Sequence, residues 1–249
     1  MTHEFFIRVL AIFGIYSAYP SALYRFKKTP HHALDGVKRI YLTFDDGPEP
    51  QYTNILLDLL DSYDIKATFF VVAEKAKQNP EIIRRMKVSG HTIGVHSLEH
   101  KNALFSSPSY TKKDFIESLK IMNDLDVQIK YFRPPWGNLN ILTYYYASQN
   151  HIKMVFWTVM AGDWSKNTTE KKIIKKLSKR VHNNKIICLH DGRGKNSAPQ
   201  KTIAALKVMI PHWLDEGYNF EKIDEIYKVI NNSSIAESIK IINNNIMKW

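Results

Sequence analysis

Sulfur chemistry is nearly absent from this chain. Cys188 is the only cysteine among 249 residues, so no intramolecular disulfide can form and cysteine usage says nothing about compartment. Cys188 sits in the apolar run 185–189, where a buried, inert thiol is expected rather than a nucleophile. No Gly/Ser-rich linker or internal repeat divides the sequence. One large domain, of the size a barrel or an open α/β sheet needs, is therefore expected. Long hydrophobic runs are missing too. The longest apolar stretch, 5–19, covers 15 residues and includes Arg8, short of the roughly 18 apolar residues that would identify a transmembrane helix. Pro20 follows closely, and Ser17, Ala18 and Tyr19 make a poor signal-cleavage site. The expectation is an uncleaved, membrane-associating helix within 1–30, flanked by Arg25, Lys27 and Lys28. A helix packed on the domain is the alternative.

Acidic residues are scarce relative to basic ones, 24 against 35, for a net charge of +11. Such an excess attracts polyanions: anionic lipid headgroups, acidic envelope polymers or nucleic acid. Much of it lies at Lys166, Lys171, Lys172, Lys175, Lys176, Lys179 and Arg180, around apolar residues at helical spacing. A solvated helix face is the plainer reading, and a dedicated anion site the other. The basic residues lack interleaved aromatics, so no specific nucleic-acid partner is expected. Hydrophobic residues at 44% and charged residues at 24% exclude a disordered chain and a polytopic membrane protein.

From Val37 onward, short apolar runs alternate with helix-period segments, the pattern of repeated βα units around a parallel sheet. The expected strands, about seven, are 38–44, 67–72, 92–95, 130–132, 153–159, 185–189 and a weak one at 218–220. The expected helices are 52–63, 80–89 closed by Gly90, 111–124, 168–181, and 199–216 closed by Gly217. The Asn- and Ser-rich tail, 231–249, is expected as a surface appendage beyond a domain at 31–230.

Polar residues follow the apolar runs at the C-terminal ends of strands: Asp45 and Asp46, His96, Arg133, Asp163, and His190 with Asp191. In a parallel barrel those ends share one face, where active sites form. Thr43-Phe44-Asp45-Asp46-Gly47-Pro48 sets two adjacent carboxylates against a Gly-Pro turn. On a continuing strand they would point apart, but a strand that breaks here lets both converge, one as ligand and one as base. His96-Ser97-Leu98-Glu99-His100 holds two imidazoles at i and i+4, a spacing that brings them together on a helical turn. With Asp46 they form the two-histidine, one-carboxylate set that binds zinc or related ions while leaving positions open for water. Arg133 precedes the stiff turn Pro134-Pro135-Trp136-Gly137 and is suited to orient a carboxylate such as Asp45. His190 is expected as general acid, with Asp163 raising its pKa.

These five motifs resemble, in order, the signature motifs of the polysaccharide deacetylase family, which shares a nodulation-protein homology domain. The resemblance covers 38–218. It implies a distorted (β/α) barrel and a metal-dependent hydrolase that removes acetyl groups from N-acetylated glycans, with zinc as the first expectation and cobalt, nickel, iron or manganese as alternatives. By position it makes Asp45 the base, Asp46, His96 and His100 the metal ligands, and His190 the acid. Arg133 braces the base, Asp163 tunes His190, and the backbone N–H of Trp136 helps hold the oxyanion. Trp164 and Leu189 resemble the apolar walls around the acetyl methyl. Trp136 stands where Tyr is common, Asp163 lies in an unusually apolar stretch, and Glu99 adds an acid beside the metal histidines. A monomer in a bacterial cell envelope is expected, with a cytoplasmic location as the alternative. A deformylase of a lipid-linked amino sugar, an acetyl xylan esterase and a non-catalytic carbohydrate-binding module are the competing functions.

Overall fold

A computed structural model describes Tyr16, Ser17 and residues 36–194 and 197–228. The expected N-terminal helix, apart from Tyr16 and Ser17, and the expected tail lie outside the described residues. Among the described residues no helix is long and apolar enough to cross a membrane.

The sheet is parallel throughout. Its central strand, β1 (Arg39–Asp45), reads RIYLTFD and is buried at every position after Arg39, as a strand covered on both faces must be. Strands β2 (Thr68–Val71), β3 (Thr92–Val95), β4 (Tyr131–Phe132) and β5 (Lys153–Met154) extend to one side, and β7 (Lys185–His190) and β6 (Val159–Met160) to the other, in the order β5-β4-β3-β2-β1-β7-β6. The last strand, β8 (Asn219–Phe220), pairs with the first two residues of β1. Helices α1 (Pro50–Ser62), α2 (Ala73–Gln78), α3 (Pro80–Val88), α4 (Pro108–Asp124), α5 (Ile141–Gln149), α6 (Glu170–Arg180) and α7 (Ala198–Asp215) connect the strands. The architecture is the distorted barrel that the alternating pattern and the motifs anticipated.

One expected strand divides. The run 153–159 is apolar after Lys153 except for Thr158, yet Val155 donates its N–H to Phe132 on the β4 side while Thr158 donates to Ile186 on the β7 side. The chain thus crosses from one end of the sheet to the other, and two short strands replace the single one. Helices α2 and α5 add to those expected.

Period-2 alternation sorts the sheet into two faces. Ile40, Leu42, Phe44, Phe69, Val71, Ile187 and Leu189 pack against the helices in the main core. There α7 contributes Leu206, Met209, Ile210 and Trp213, all nearly inaccessible, each worth about 1.5–3 kcal/mol of burial. The opposite face turns Tyr41, Phe70, Tyr131 and Ile186 into a smaller interior cluster closed by Ile223 and Ile226. Further along the same face come Thr43, Asp45, Cys188 and His190, because β1 and β7 pair Thr43 with Cys188 and Asp45 with His190. At the other end of the barrel His91, 7% exposed, accepts the Ala67 N–H at Nδ1 (3.1 Å) and sets its ring edge against Phe69.

Candidate active site and metal centre

The strand break after β1 does what the sequence required of it. Asp46 has φ of 74°, so its side chain swings to the same side as that of Asp45 instead of opposite it. The turn is held from behind: Lys75 Nζ donates to the Asp46 carbonyl at 2.8 Å, and Gly47 lies so close to the buried Asp191 carboxylate that a Cβ would collide with it. Asp191 is clamped in turn by the Thr53 hydroxyl at 2.6 Å. Burial outweighs that hydrogen bond and nearby Lys75, pushing the Asp191 carboxyl up to about 7.

The histidine segment converges by a different route from the expected helical turn. Ser97 and His100 both have positive φ, 70° and 58°, and Ser97 Oγ accepts the His100 N–H at 2.8 Å. The loop is tied to α4 by the Leu98 N–H, which donates to Asp114 at 2.6 Å. Asp46 Oδ1 then lies 2.8 Å from His100 Nε2 and 3.5 Å from His96 Nε2. His96 Nδ1 faces the Arg133 carbonyl at 2.6 Å, which fixes the N–H on that nitrogen and leaves Nε2 as a lone-pair donor. Burial pushes the His96 pKa down to about 4 against the pull of Asp45 and Asp46, so the ring is neutral, as a ligand must be. Burial would raise the Asp46 carboxyl, but the His100 contact and the neighbouring histidines prevail and hold it well below the usual range.

These three groups fit a divalent cation. Asp46 Oδ1 is buried with no hydrogen-bond donor properly aligned to it, close as His100 is. One atom from each of Asp46, His96 and His100 lies within 4.8 Å of the others, the convergence a shared ion would satisfy. Asp45, Cys188 and His190 are equally close together, but burial keeps the Cys188 thiol far above its ordinary pKa and hence protonated. Its Sγ instead donates to Asp45 Oδ2 at 3.3 Å. Glu99 stays out of the cluster, paired at the surface with Lys101 (2.7 Å) and Tyr110 (3.0 Å).

On one side of the ligand set, Arg133 is completely buried and reaches Asp45 Oδ1 and Thr43 Oγ1, each at 2.7 Å. Its Nε donates to the Val155 carbonyl at 3.2 Å, and the guanidinium lies 4.1 Å from the Phe70 ring centre. On the other side, Asp163, also inaccessible, binds His190 Nδ1 at 3.0 Å. Burial alone would lower the His190 pKa, but the charge and hydrogen bond of Asp163 outweigh it and raise the ring to about 9.

A cleft of about 760 Å³ opens above Asp45, Asp46, His96, His100 and His190. Trp136, half exposed at φ 56°, sets its ring edge-on to His100 with centroids 4.4 Å apart, and Trp164 stands similarly against His190 at 5.1 Å. Trp157, Met160, Ser165, Lys166, Cys188, Arg193 and Gly194 complete the lining, and the sequence motifs assign none of them to the site. Leu189, expected as a wall, is fully buried in the helix-facing core, because alternation along β7 sends Cys188 and His190 to the cleft and Leu189 away from it.

Residues 34–155 match the family model described as polysaccharide deacetylase. A peptidoglycan-N-acetylglucosamine deacetylase of Bacillus cereus is 32% identical over 77% of this chain and 89% of its own length. A chitooligosaccharide deacetylase of Sinorhizobium fredii is 30% identical over 74% of this chain and 89% of its own. Among solved structures, peptidoglycan deacetylase PdaC from Bacillus subtilis superposes with a TM-score of 0.72 at 28% identity, covering 82% of this chain and 97% of that one. With so much of both partners aligned, the chain belongs to the polysaccharide deacetylase family.

Proposed function

We propose that the protein is a metal-dependent hydrolase that removes N-acetyl groups from an N-acetylated glycan of the bacterial envelope. The observation that carries this reading is the placement, in one cleft, of the Asp46, His96 and His100 set between a braced carboxylate, Asp45, and an imidazole, His190, paired with Asp163. Relatives that act on peptidoglycan and on chitooligosaccharides support the choice of substrate class.

The donor set of two imidazoles and one carboxylate suits zinc first, and cobalt, nickel, iron or manganese next. A cation held there supplies Lewis acidity, which makes water a nucleophile at neutral pH. Asp45 takes the proton from the attacking water, its geometry fixed by Arg133 on one oxygen and the Cys188 thiol on the other. His190 gives its Nε2 proton to the departing sugar nitrogen, and Asp163, bound at Nδ1, favours the protonated ring. The backbone N–H of Trp136, on its left-handed turn at the rim, donates to the oxyanion. Trp136 and Trp164 offer aromatic faces to the sugar on either side.

The test is acetate release from N-acetylchitooligosaccharides and from peptidoglycan by metal-loaded enzyme, with the glycan product identified. Acetate and free amine are expected, abolished by a chelator and restored by added Zn²⁺. Release of formate or of ester-linked acetate alone would assign the competing deformylase or esterase functions. Turnover indifferent to chelation would remove the metal from the reaction.

A further inference from the structure

The most lopsided run of charge in the sequence begins at the cleft lining with Lys166 and has no part in the chemistry above. Residues 166–180 hold Lys166, Lys171, Lys172, Lys175, Lys176, Lys179 and Arg180 against a single acid, Glu170. Lys166 has a partner within the fold, and three more of these cations are employed there: Lys172 Nζ donates to the Asn167 carbonyl (3.1 Å), Lys176 Nζ to that of Ala161 (2.7 Å) and Arg180 to that of Met160 (3.3 Å). Lys171, Lys175 and Lys179 are different. Spaced at i, i+4 and i+8, they form an exposed stripe along α6 and make no hydrogen bond or ion pair among the described residues. Like charges at this spacing oppose helix formation, so the stripe works against the element that carries it.

Its position points to a partner. Trp164, Ser165 and Lys166 line the cleft, and Thr169 caps α6, so the stripe starts a few residues from the cleft mouth and runs about 12 Å at about 1.5 Å per residue. Arg193 adds a cation to the same mouth. We propose that the α6 stripe is a docking surface for an anionic glycan, the carboxylate-bearing continuation of the polymer whose N-acetyl group enters the cleft. The inference rests on the proposed deacetylation for the identity of that polymer. A bilayer fits the surface less well: Ile173 and Leu177 are wholly buried, Ile174 packs against the core, and none of the exposed large hydrophobic side chains lies on α6, so this helix offers little apolar surface to the lipid interface. Nucleic acid fits less well too, because no Phe, Tyr or Trp occurs between 165 and 212 to stack a base.

The experiment compares the full metal-loaded chain with its K171Q/K175Q/K179Q variant, glutamine being nearly as good a helix former as lysine. Unchanged kcat and KM on neutral N-acetylchitohexaose establish that the variant is folded and active. On purified peptidoglycan sacculi at low ionic strength the variant is expected to co-sediment about tenfold more weakly or worse, with a matching rise in KM, and the difference should vanish near 1 M salt, where screening acts within about 3 Å. Equal binding of both proteins to sacculi overturns the proposal. So does a difference confined to phosphatidylglycerol vesicles, which would make the stripe a membrane face. Wild-type protein that releases no acetate from either glycan overturns the catalytic reading instead, while co-sedimentation still decides the stripe.

Discussion

Asp163 grips His190 twice: Oδ1 meets the ring at Nδ1 (3.0 Å), and Oδ2 accepts the backbone N–H of the same residue (2.8 Å). Thr202 donates to Oδ2 as well, at 2.9 Å. The carboxylate therefore fixes both where the imidazole stands and whether it carries a proton. The proposed general acid must be protonated to act, and the His190 pKa, raised to about 9, keeps the ring so across neutral pH; activity is expected to fall as pH rises through that value. Asp163→Asn removes the charge, burial then prevails, and the alkaline limb of kcat/KM moves to lower pH. Turnover of amide substrates at pH 8 should fall about 10²–10³-fold, with esters of good leaving groups losing much less. A pH profile of metal-loaded variant and wild type checks this, and an unmoved alkaline limb would falsify the assignment.

The roles proposed for the neighbours Asp45 and Asp46 differ, and substitution should separate them. Asp45→Asn keeps the three ligand groups and should bind metal normally while losing about 10³–10⁴-fold in turnover. Asp46→Ala should lose the metal itself. Equilibrium dialysis beside acetate release distinguishes the two. Chelation should also lower the thermal midpoint of the wild type, since an ion at about 100 times its Kd adds about 2.7 kcal/mol to stability, and it should leave that of Asp46→Ala unchanged.

Leu189 belongs to the core rather than the cleft. Leu189→Ala should cost about 2–5 kcal/mol of stability as a core cavity, with KM for acetylated substrate unaltered. Urea unfolding and steady-state kinetics on one preparation measure both. A raised KM with little loss of stability would return the side chain to the substrate.

His91 links pH to stability far from the chemistry. Burial, only partly offset by Asp61, lowers its pKa to about 4, so the unfolded chain binds the proton more readily than the folded one. This contribution is fully present above about 6.5 and is lost as pH falls towards 4, a change on the order of 3 kcal/mol. Unfolding free energies at pH 7 and 4.5 for wild type and His91→Gln should differ by that amount in their pH dependence, and parallel curves would rule His91 out.

Much of this organisation could be read from the chain. Asp45, Asp46, His96, Arg133, Asp163 and His190 follow apolar runs or turn residues, a local signal that the ends of parallel strands impose. What escaped depends on phase and long-range pairing. The choice between Cys188 and Leu189 turns on a one-residue phase, which only the pairing of β7 with β1 decides. The run 153–159 reads as one strand because both halves are apolar, although they pair with different neighbours. Helix α2 is short and polar, with only Ala73 and Ala76 buried. Helix α5 did carry a signal, the reciprocal cap between Asn140 and Thr143 at its start.

The crossing at 155–158 has a mechanical meaning. Among the described residues no ladder of backbone hydrogen bonds joins β5 to β6, so the ring has a seam there. Arg133 sews it: the guanidinium that steers Asp45 also holds the carbonyls of Val155 and Phe156, at 3.2 and 3.5 Å. Any breathing of the wall at that seam is therefore felt directly at the Asp45 carboxylate, and an amine in place of the guanidinium has too few fixed N–H directions to keep both fastened.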